Sequence, residues 1–158
     1  MTYSPAENWL ITHDVVMARL ISQNGPLAPY LRVSTDVDYF AALARSITGQ
    51  QISVKAAQTI YGRLHELTQS LPEKTIELTA VKGIGAWTAQ MFLMFTLGRP
   101  DVFAPGDRGL QLAIQRLYNF PATPPPKALE QLASTWSPYR TTACTHLWHS
   151  LENMPTNK

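Results

Sequence analysis

The stretch "VKGIGAWTAQMF", from Val81 to Phe92, decides how this sequence of 158 residues is interpreted. Gly83 and Gly85 stand directly before a run of apolar residues with helical spacing, and Gly-x-Gly between two helices is typical of a tight turn. Such a turn lets an anion approach the backbone N–H groups that begin the second helix, where the helix dipole favours negative charge. Lys82 would add a positive charge and Thr88 a hydroxyl. The same pattern is also compatible with one helix that simply ends before another begins.

A second stretch, "DVFAPGD", ends on Asp107 directly before another segment with helical spacing. A carboxylate at this position caps the helix, which is worth about 1 kcal/mol. It can also act chemically, because the N–H dipoles of the first turn favour its ionised form. An ionised carboxylate at the mouth of a cleft stabilises a sugar cation or activates a water molecule, as in glycoside hydrolysis. Taken alone, the pattern leaves both interpretations open.

The bulk composition excludes several classes of protein. With 45% apolar and 15% charged residues, the chain is expected to be globular rather than disordered. The formal net charge of +2 is too small to attract a nucleic acid by itself, so any such contact needs a local surface. The single cysteine, Cys144, excludes an intramolecular disulfide and a cysteine-ligated iron–sulfur cluster. His146 and His149 lack the surrounding ligands that a metal site needs, so no tightly bound metal is expected.

The N-terminal segment has neither the basic region nor the uninterrupted apolar region of a secretory signal. No apolar run reaches the length that spans a membrane. We therefore expect a cytoplasmic protein, of the bacterial cytosol or associated with the nucleoid, without a membrane partner.

The periodic segments are almost all helical, which predicts an all-α fold. One helix is predicted across "WLITHDVVMARLIS", residues 9–22, before the break "NGPLAP". Further helices are predicted after Asp36, after "TGQQIS", and at about 73–80, 87–97, 108–118, 127–136 and 140–151, the last two following the linker "FPATPPPK". We expect a single helical domain over residues 1–158, with a hairpin at about 73–97 and the loop that carries Asp107 at 101–108.

Taken together, "GQQIS", "KGIGAWTAQMF" and "DVFAPGD" resemble the helix–hairpin–helix base-excision DNA glycosylases, and more narrowly their 3-methyladenine DNA glycosylase II branch. The resemblance extends from about Tyr39 to Leu151, and "SPYRTTACTHLWHSL" is similar to the closing helix of that branch. It implies the helical fold of that superfamily. It also implies an enzyme that removes alkylated purines, such as 3-methyladenine and 7-methylguanine, from duplex DNA.

The resemblance implies roles for the residues of the two motifs. Asp107 stands at the position of the catalytic aspartate. Trp87 stands where lyase-type relatives carry a nucleophilic lysine, so the match implies a monofunctional enzyme that leaves an abasic site. Gly83 and Gly85 match the hairpin, whose backbone often holds a monovalent cation such as Na⁺ or K⁺ in these proteins. No other cofactor is expected to be required.

Other residues match the surfaces that contact DNA and the damaged base. Gln50 and Gln51 match the loop that enters the duplex and fills the space of the extruded nucleotide. Ser53 can cap the following helix or contact DNA. The positions expected to line the base pocket are Trp87, Met91 and Trp148. The expected partner is duplex DNA with damaged bases, and the protein is expected to be a monomer.

The sequence departs from the family in one respect. Gly83 follows Gln50 by 33 positions, whereas the corresponding stretch of the relatives is longer and holds additional helices. We therefore expect a shortened helical domain, without the N-terminal β-rich domain of larger relatives. Because the absent helices would shape the pocket, two alternatives stay open. One is a hairpin protein that binds DNA without chemistry, and the other is a glycosylase for hypoxanthine, ethenoadenine or uracil.

Overall fold

The computed structural model describes residues 2–28, 59, 79 and 84–152, and it divides the chain into two compact units. The first unit comprises Met1–Tyr30 and Pro100–Lys158, and the second comprises Leu31–Arg99. Within the described ranges, all regular secondary structure is helical, which agrees with the predicted all-α fold class. The single domain over residues 1–158 stays a prediction.

Six helices lie in the described ranges: α1 (Pro5–His13), α2 (Val15–Asn24), α3 (Ala86–Phe95), α4 (Arg108–Leu117), α5 (Pro126–Ser134) and α6 (Arg140–Glu152). From α3 onward, the helices begin and end within two residues of the predicted positions. Thr59 and Thr79 are helical, as two of the remaining predicted helices require. The rest of the stretch between Pro29 and Gly83 lies outside the described residues.

The N-terminal segment shows that one prediction was wrong. The continuous helix predicted across residues 9–22 is interrupted at Asp14, whose φ of −145° and ψ of 117° are extended. Asp14 Oδ1 accepts hydrogen bonds from two backbone N–H groups in the first turn of α2. Asp14 Oδ2 accepts from Tyr118 Oη at 2.7 Å and from Trp136 Nε1 at 2.9 Å. These long-range bonds favour the break, which leaves the apolar side chain of Val15 76% exposed.

Helix α6 is the central element of the first unit, because it packs against α1, α2 and α4. It contributes the buried residues Ala143, Cys144 and Leu147. Burial raises the pKa of the Cys144 thiol. The neighbouring helices and the turn after α5 add Leu10, Met17, Leu20, Ile21, Leu110, Ala113, Ile114, Leu129 and Trp136 to this core. The helix that packs against α4, α6, is therefore itself held in the core of the first unit.

Candidate active site

Asp107 is the N-cap residue of α4, as the sequence predicts. Its Oδ1 accepts a hydrogen bond from Leu110 N at 2.9 Å. The turn that carries it is held on both sides, since Asp107 N donates to Ala104 O at 3.0 Å and Gln111 Nε2 donates to Pro105 O at 2.8 Å. The residue is half-buried, so part of its surface is open to solvent. A fixed and accessible carboxylate is what the predicted chemistry requires.

Trp148 contacts the same carboxylate from α6. Its Nε1 donates to Asp107 Oδ1 at 2.9 Å, across a separation of 41 residues. Trp148 is half-buried, and its indole edge lies against the backbone of Gly109. Sequence reasoning placed Trp148 at a base pocket and missed both this hydrogen bond and Gly109. The available signal was a glycine in the first turn of a predicted helix, where glycine costs stability and indicates a close approach.

The loop before Asp107 is anchored on the first turn of α6. Arg140 Nε lies 2.6 Å from Asp101 Oδ1, and Ser137 Oγ donates to Asp101 Oδ2 at 2.9 Å. Burial alone would raise the pKa of Asp101, but the hydrogen bonds from Arg140 and Ser137 outweigh it and hold this pKa below its ordinary value. Val102 N donates to Thr141 Oγ1 at 3.1 Å. One helix thus holds the loop at its start and, through Trp148, at its end.

In the second unit, Gly85 is the N-cap of α3 and makes no side-chain cap hydrogen bond. Its φ of −83° is one that any residue adopts. A Cβ atom built there meets no atom within 4 Å, so neither backbone conformation nor packing requires glycine at this position. Thr88 is 1% exposed, and the DNA contact predicted for its hydroxyl stays a prediction. Trp87 is half-buried and Met91 is buried.

Several predicted site residues lie outside the described part of the chain: Gln50, Gln51, Ser53, Lys82 and Gly83. Their contacts with DNA, and the monovalent cation near Gly83 and Gly85, stay predictions. Trp87 and Met91 belong to the second unit, so a pocket that they share with Asp107 also stays a prediction.

Among residues 2–28, 59, 79 and 84–152, no group of three or more His, Cys, Asp and Glu side chains could hold a metal ion. No helix within the same residues has both the length and the apolar character needed to cross a membrane.

Comparisons with known proteins place the fold in a family. No model of a protein family matches the chain. The DNA-3-methyladenine glycosidase of Bacillus halodurans is similar with a TM-score of 0.65 and 30% identity, over 95% of this chain and 88% of that one. The 3-methyladenine DNA glycosylase of Schizosaccharomyces pombe, solved in complex with abasic DNA, has the same fold with a TM-score of 0.76 and 24% identity, over 98% and 100% of the two chains. The chain belongs to the 3-methyladenine DNA glycosylases of the helix–hairpin–helix superfamily.

The chain is shorter than its curated relatives. It spans between 31% and 59% of the length of the first ones that it matches. The Mycobacterium tuberculosis protein AlkA is 29% identical over 187 aligned residues, which cover 83% of this chain and 37% of that protein. Because 187 exceeds the 158 residues of the whole chain, the relative has additional residues inside the aligned region. The shortened helical domain stays a prediction.

Proposed function

We propose that this chain is a monofunctional DNA glycosylase of base excision repair. It hydrolyses the N-glycosidic bond of alkylated purines, of the 3-methyladenine and 7-methylguanine type, in duplex DNA and leaves an abasic site. The observation that carries the proposal is the Asp107 carboxylate, which is held at the start of α4 by Leu110 N and Trp148 Nε1 in a chain of this family. Such a carboxylate stabilises the sugar cation that develops as the bond breaks, or orients the attacking water.

The proposed chemistry needs little beyond this carboxylate. An N-alkylated purine is cationic and already a good leaving group, so a strong general acid is not required. The enzyme must extrude the nucleotide from the stack to reach its glycosidic bond. An indole face attracts a cationic base by about 0.5–2 kcal/mol, which suits Trp87 as a pocket residue. Trp87 has no amine and cannot form a Schiff base. The proposed enzyme therefore leaves the DNA strand uncut.

The proposed grip on DNA uses the start of α3. This helix begins at Ala86, its N-cap Gly85 provides no side-chain cap, and N–H groups at a helix N-terminus attract a phosphate oxygen. A phosphate contact positions the duplex without reading its sequence. In this proposal, a Na⁺ or K⁺ ion at the hairpin backbone near Gly83 supports the contact, and the protein acts as a cytoplasmic monomer.

A second candidate function is DNA binding without chemistry. The observation that favours it is the shortened stretch between Gln50 and Gly83, together with the additional aligned residues of the longer relative. Fewer helices leave fewer side chains to enclose an extruded base. Such a protein would keep its grip on DNA and fail to release a base.

The test measures release of methylated bases from alkylated duplex DNA, with binding to abasic-site DNA measured in parallel. We expect the wild type to release 3-methyladenine, and Asp107→Asn to lose about 10²-fold or more of this rate while still binding DNA. Glu130→Gln, which changes an exposed carboxylate on α5, serves as the matched control and should keep the wild-type rate. If the folded wild type binds abasic-site DNA and releases no base, the second candidate function, DNA binding without chemistry, replaces the proposed glycosylase activity.

A further inference from the structure

Two donors converge on one oxygen of the proposed catalytic carboxylate. Asp107 Oδ1 accepts from Leu110 N at 2.9 Å and from Trp148 Nε1 at 2.9 Å. Leu110 N belongs to the same helix as the aspartate, whereas the indole approaches from α6. A carboxylate is planar, so two donors that fix one oxygen also fix the direction of the other oxygen. Any N-cap aspartate has the first donor, and the second is particular to this arrangement.

Gly109 makes the approach of the indole possible. A Cβ atom built on Gly109 would lie 3.1 Å from Asp107 Oδ1, 3.2 Å from Trp148 Cδ1 and 3.3 Å from Trp148 Nε1. Each distance is shorter than an ordinary van der Waals contact, so the carboxylate or the indole would have to move by a few tenths of an ångström to admit a side chain here. Gly106, one residue before the aspartate, is different, since a Cβ atom there meets nothing within 4 Å. Of the two glycines that flank Asp107, Gly109 is therefore the one that the contact between the carboxylate and the indole requires.

Helix α6 is well suited to hold the indole in place. Its first turn is tied to the loop before Asp107 through Arg140 and Thr141. Trp148 follows Arg140 by eight residues, about 12 Å further along the same helix. Between these two points, Ala143, Cys144 and Leu147 are fully buried. A helix fixed in this way presents the indole N–H at a defined position.

We infer that Trp148 is a positioning residue that orients the Asp107 carboxylate for the proposed reaction, and that Gly109 provides the space it needs. This inference rests on the proposed function, because the orientation has a use only if the carboxylate faces a sugar. A carboxylate aligned before the reaction spares the cost of alignment in the transition state, and a small misplacement of a reacting group costs up to about 10²-fold in rate. Trp148 acts through Asp107 and needs no contact of its own with the substrate.

The first test concerns geometry and needs no activity. The chain has four tryptophans, so four indole N–H signals are expected in a ¹⁵N–¹H spectrum, and Trp148→Phe identifies the one that disappears. We expect the Trp148 signal to shift, and its exchange with water to accelerate by about tenfold, in Asp107→Ala and in Gly109→Ala. Gly106→Ala, the matched control, should leave the signal in place. A signal unchanged in Asp107→Ala would overturn the hydrogen bond, and one unchanged in Gly109→Ala would overturn the role of the glycine.

The second test concerns catalysis. Trp148→Phe keeps an aromatic ring and removes the donor, so kcat should fall about 10- to 100-fold while KM stays within about threefold. Leu129→Val, in the buried face of α5, is the control for a merely structural effect, because it loosens the core without touching the carboxylate. Leu129→Val should lower the free energy of unfolding, and the folded variant should keep the wild-type kcat. An unchanged kcat in Trp148→Phe would overturn the positioning role.

The two tests separate failure of this inference from failure of the proposed function. If the wild type releases no base, the proposed function is wrong. The inference that Trp148 positions Asp107 for catalysis is then overturned as well, even if the indole signal responds to Asp107→Ala. If the wild type is active but its Trp148 signal does not change in Asp107→Ala, the proposed glycosylase function is retained and only the inference about Trp148 is overturned.

Discussion

His146 Nε2 lies 3.1 Å from Glu7 Oε1, and the two side chains are 0% and 2% exposed. On the other side of the ring, Nδ1 accepts from Asn24 Nδ2 at 3.2 Å, and the same amide nitrogen donates to His146 O at 3.1 Å. Because an amide nitrogen only donates, Nδ1 carries no proton, and the neutral ring donates its Nε2 proton to Glu7. This hydrogen-bonded cluster joins α6 to α1 and α2.

The state of His146 makes the stability of the fold depend on pH. Burial lowers the pKa of His146 below its ordinary value of 6.5, and the opposing effect of Glu7 does not offset it. The unfolded chain therefore takes up a proton at a pH where the native ring stays neutral. The contribution to stability is complete above 6.5 and is lost as the pH falls below that value. We expect urea unfolding to give a smaller free energy at about pH 5.5 than at about pH 7.5.

Asn24→Asp tests the cause of this dependence. A carboxylate facing Nδ1 favours the protonated ring, so the loss of stability between the two pH values should shrink. Gln131→Glu, on the exposed side of α5, changes the net charge of the protein equally and should leave the loss as it is in the wild type. Equal unfolding free energies at both pH values in the wild type would contradict the assignment of a neutral buried His146.

Asp14 should contribute to stability in two separable ways. Asp14→Ala removes the cap of α2 and the acceptor shared by Tyr118 Oη and Trp136 Nε1, at a cost of about 3 kcal/mol in the free energy of unfolding. Asp14→Ser restores a capping oxygen and should recover about 1 kcal/mol of this. Denaturant unfolding of the three proteins measures both parts. If Asp14→Ser were as stable as the wild type, the bonds from Tyr118 and Trp136 would contribute nothing.

Gly85→Ala separates binding from folding. Its φ of −83° suits any residue, and its Cβ atom would meet nothing within 4 Å. The free energy of unfolding should therefore fall by about 1 kcal/mol or less, the difference between glycine and alanine at an N-cap. Binding to DNA should weaken to the same degree for every sequence, because a methyl group keeps phosphate away from the first-turn N–H groups. Fluorescence titrations with several duplexes measure this, and a loss confined to one sequence would argue against a phosphate contact.

Local rules predicted much of the fold. The helices after residue 84 could be placed from apolar spacing, the cap at Asp107 and the proline linker, because each signal lies within a few residues of its effect. The same reasoning failed at Asp14, where the apolar spacing continues through the break. What interrupts the helix there is a carboxylate whose hydrogen-bond partners, Tyr118 and Trp136, lie 104 and 122 residues away.

By itself, the sequence determined the family and the position of the candidate aspartate, because the motifs that carry both are short and continuous along the chain. Only the tertiary structure decided which side chains surround that aspartate. The packing of α6 against α4 brings Trp148 to Asp107 across 41 residues, and it gives Gly109 a reason to lack a side chain. The packing of α6 against α1 brings His146 to Glu7 across 139 residues. Helical periodicity indicates which face of a helix is buried, but the partner on that face depends on how the helices pack.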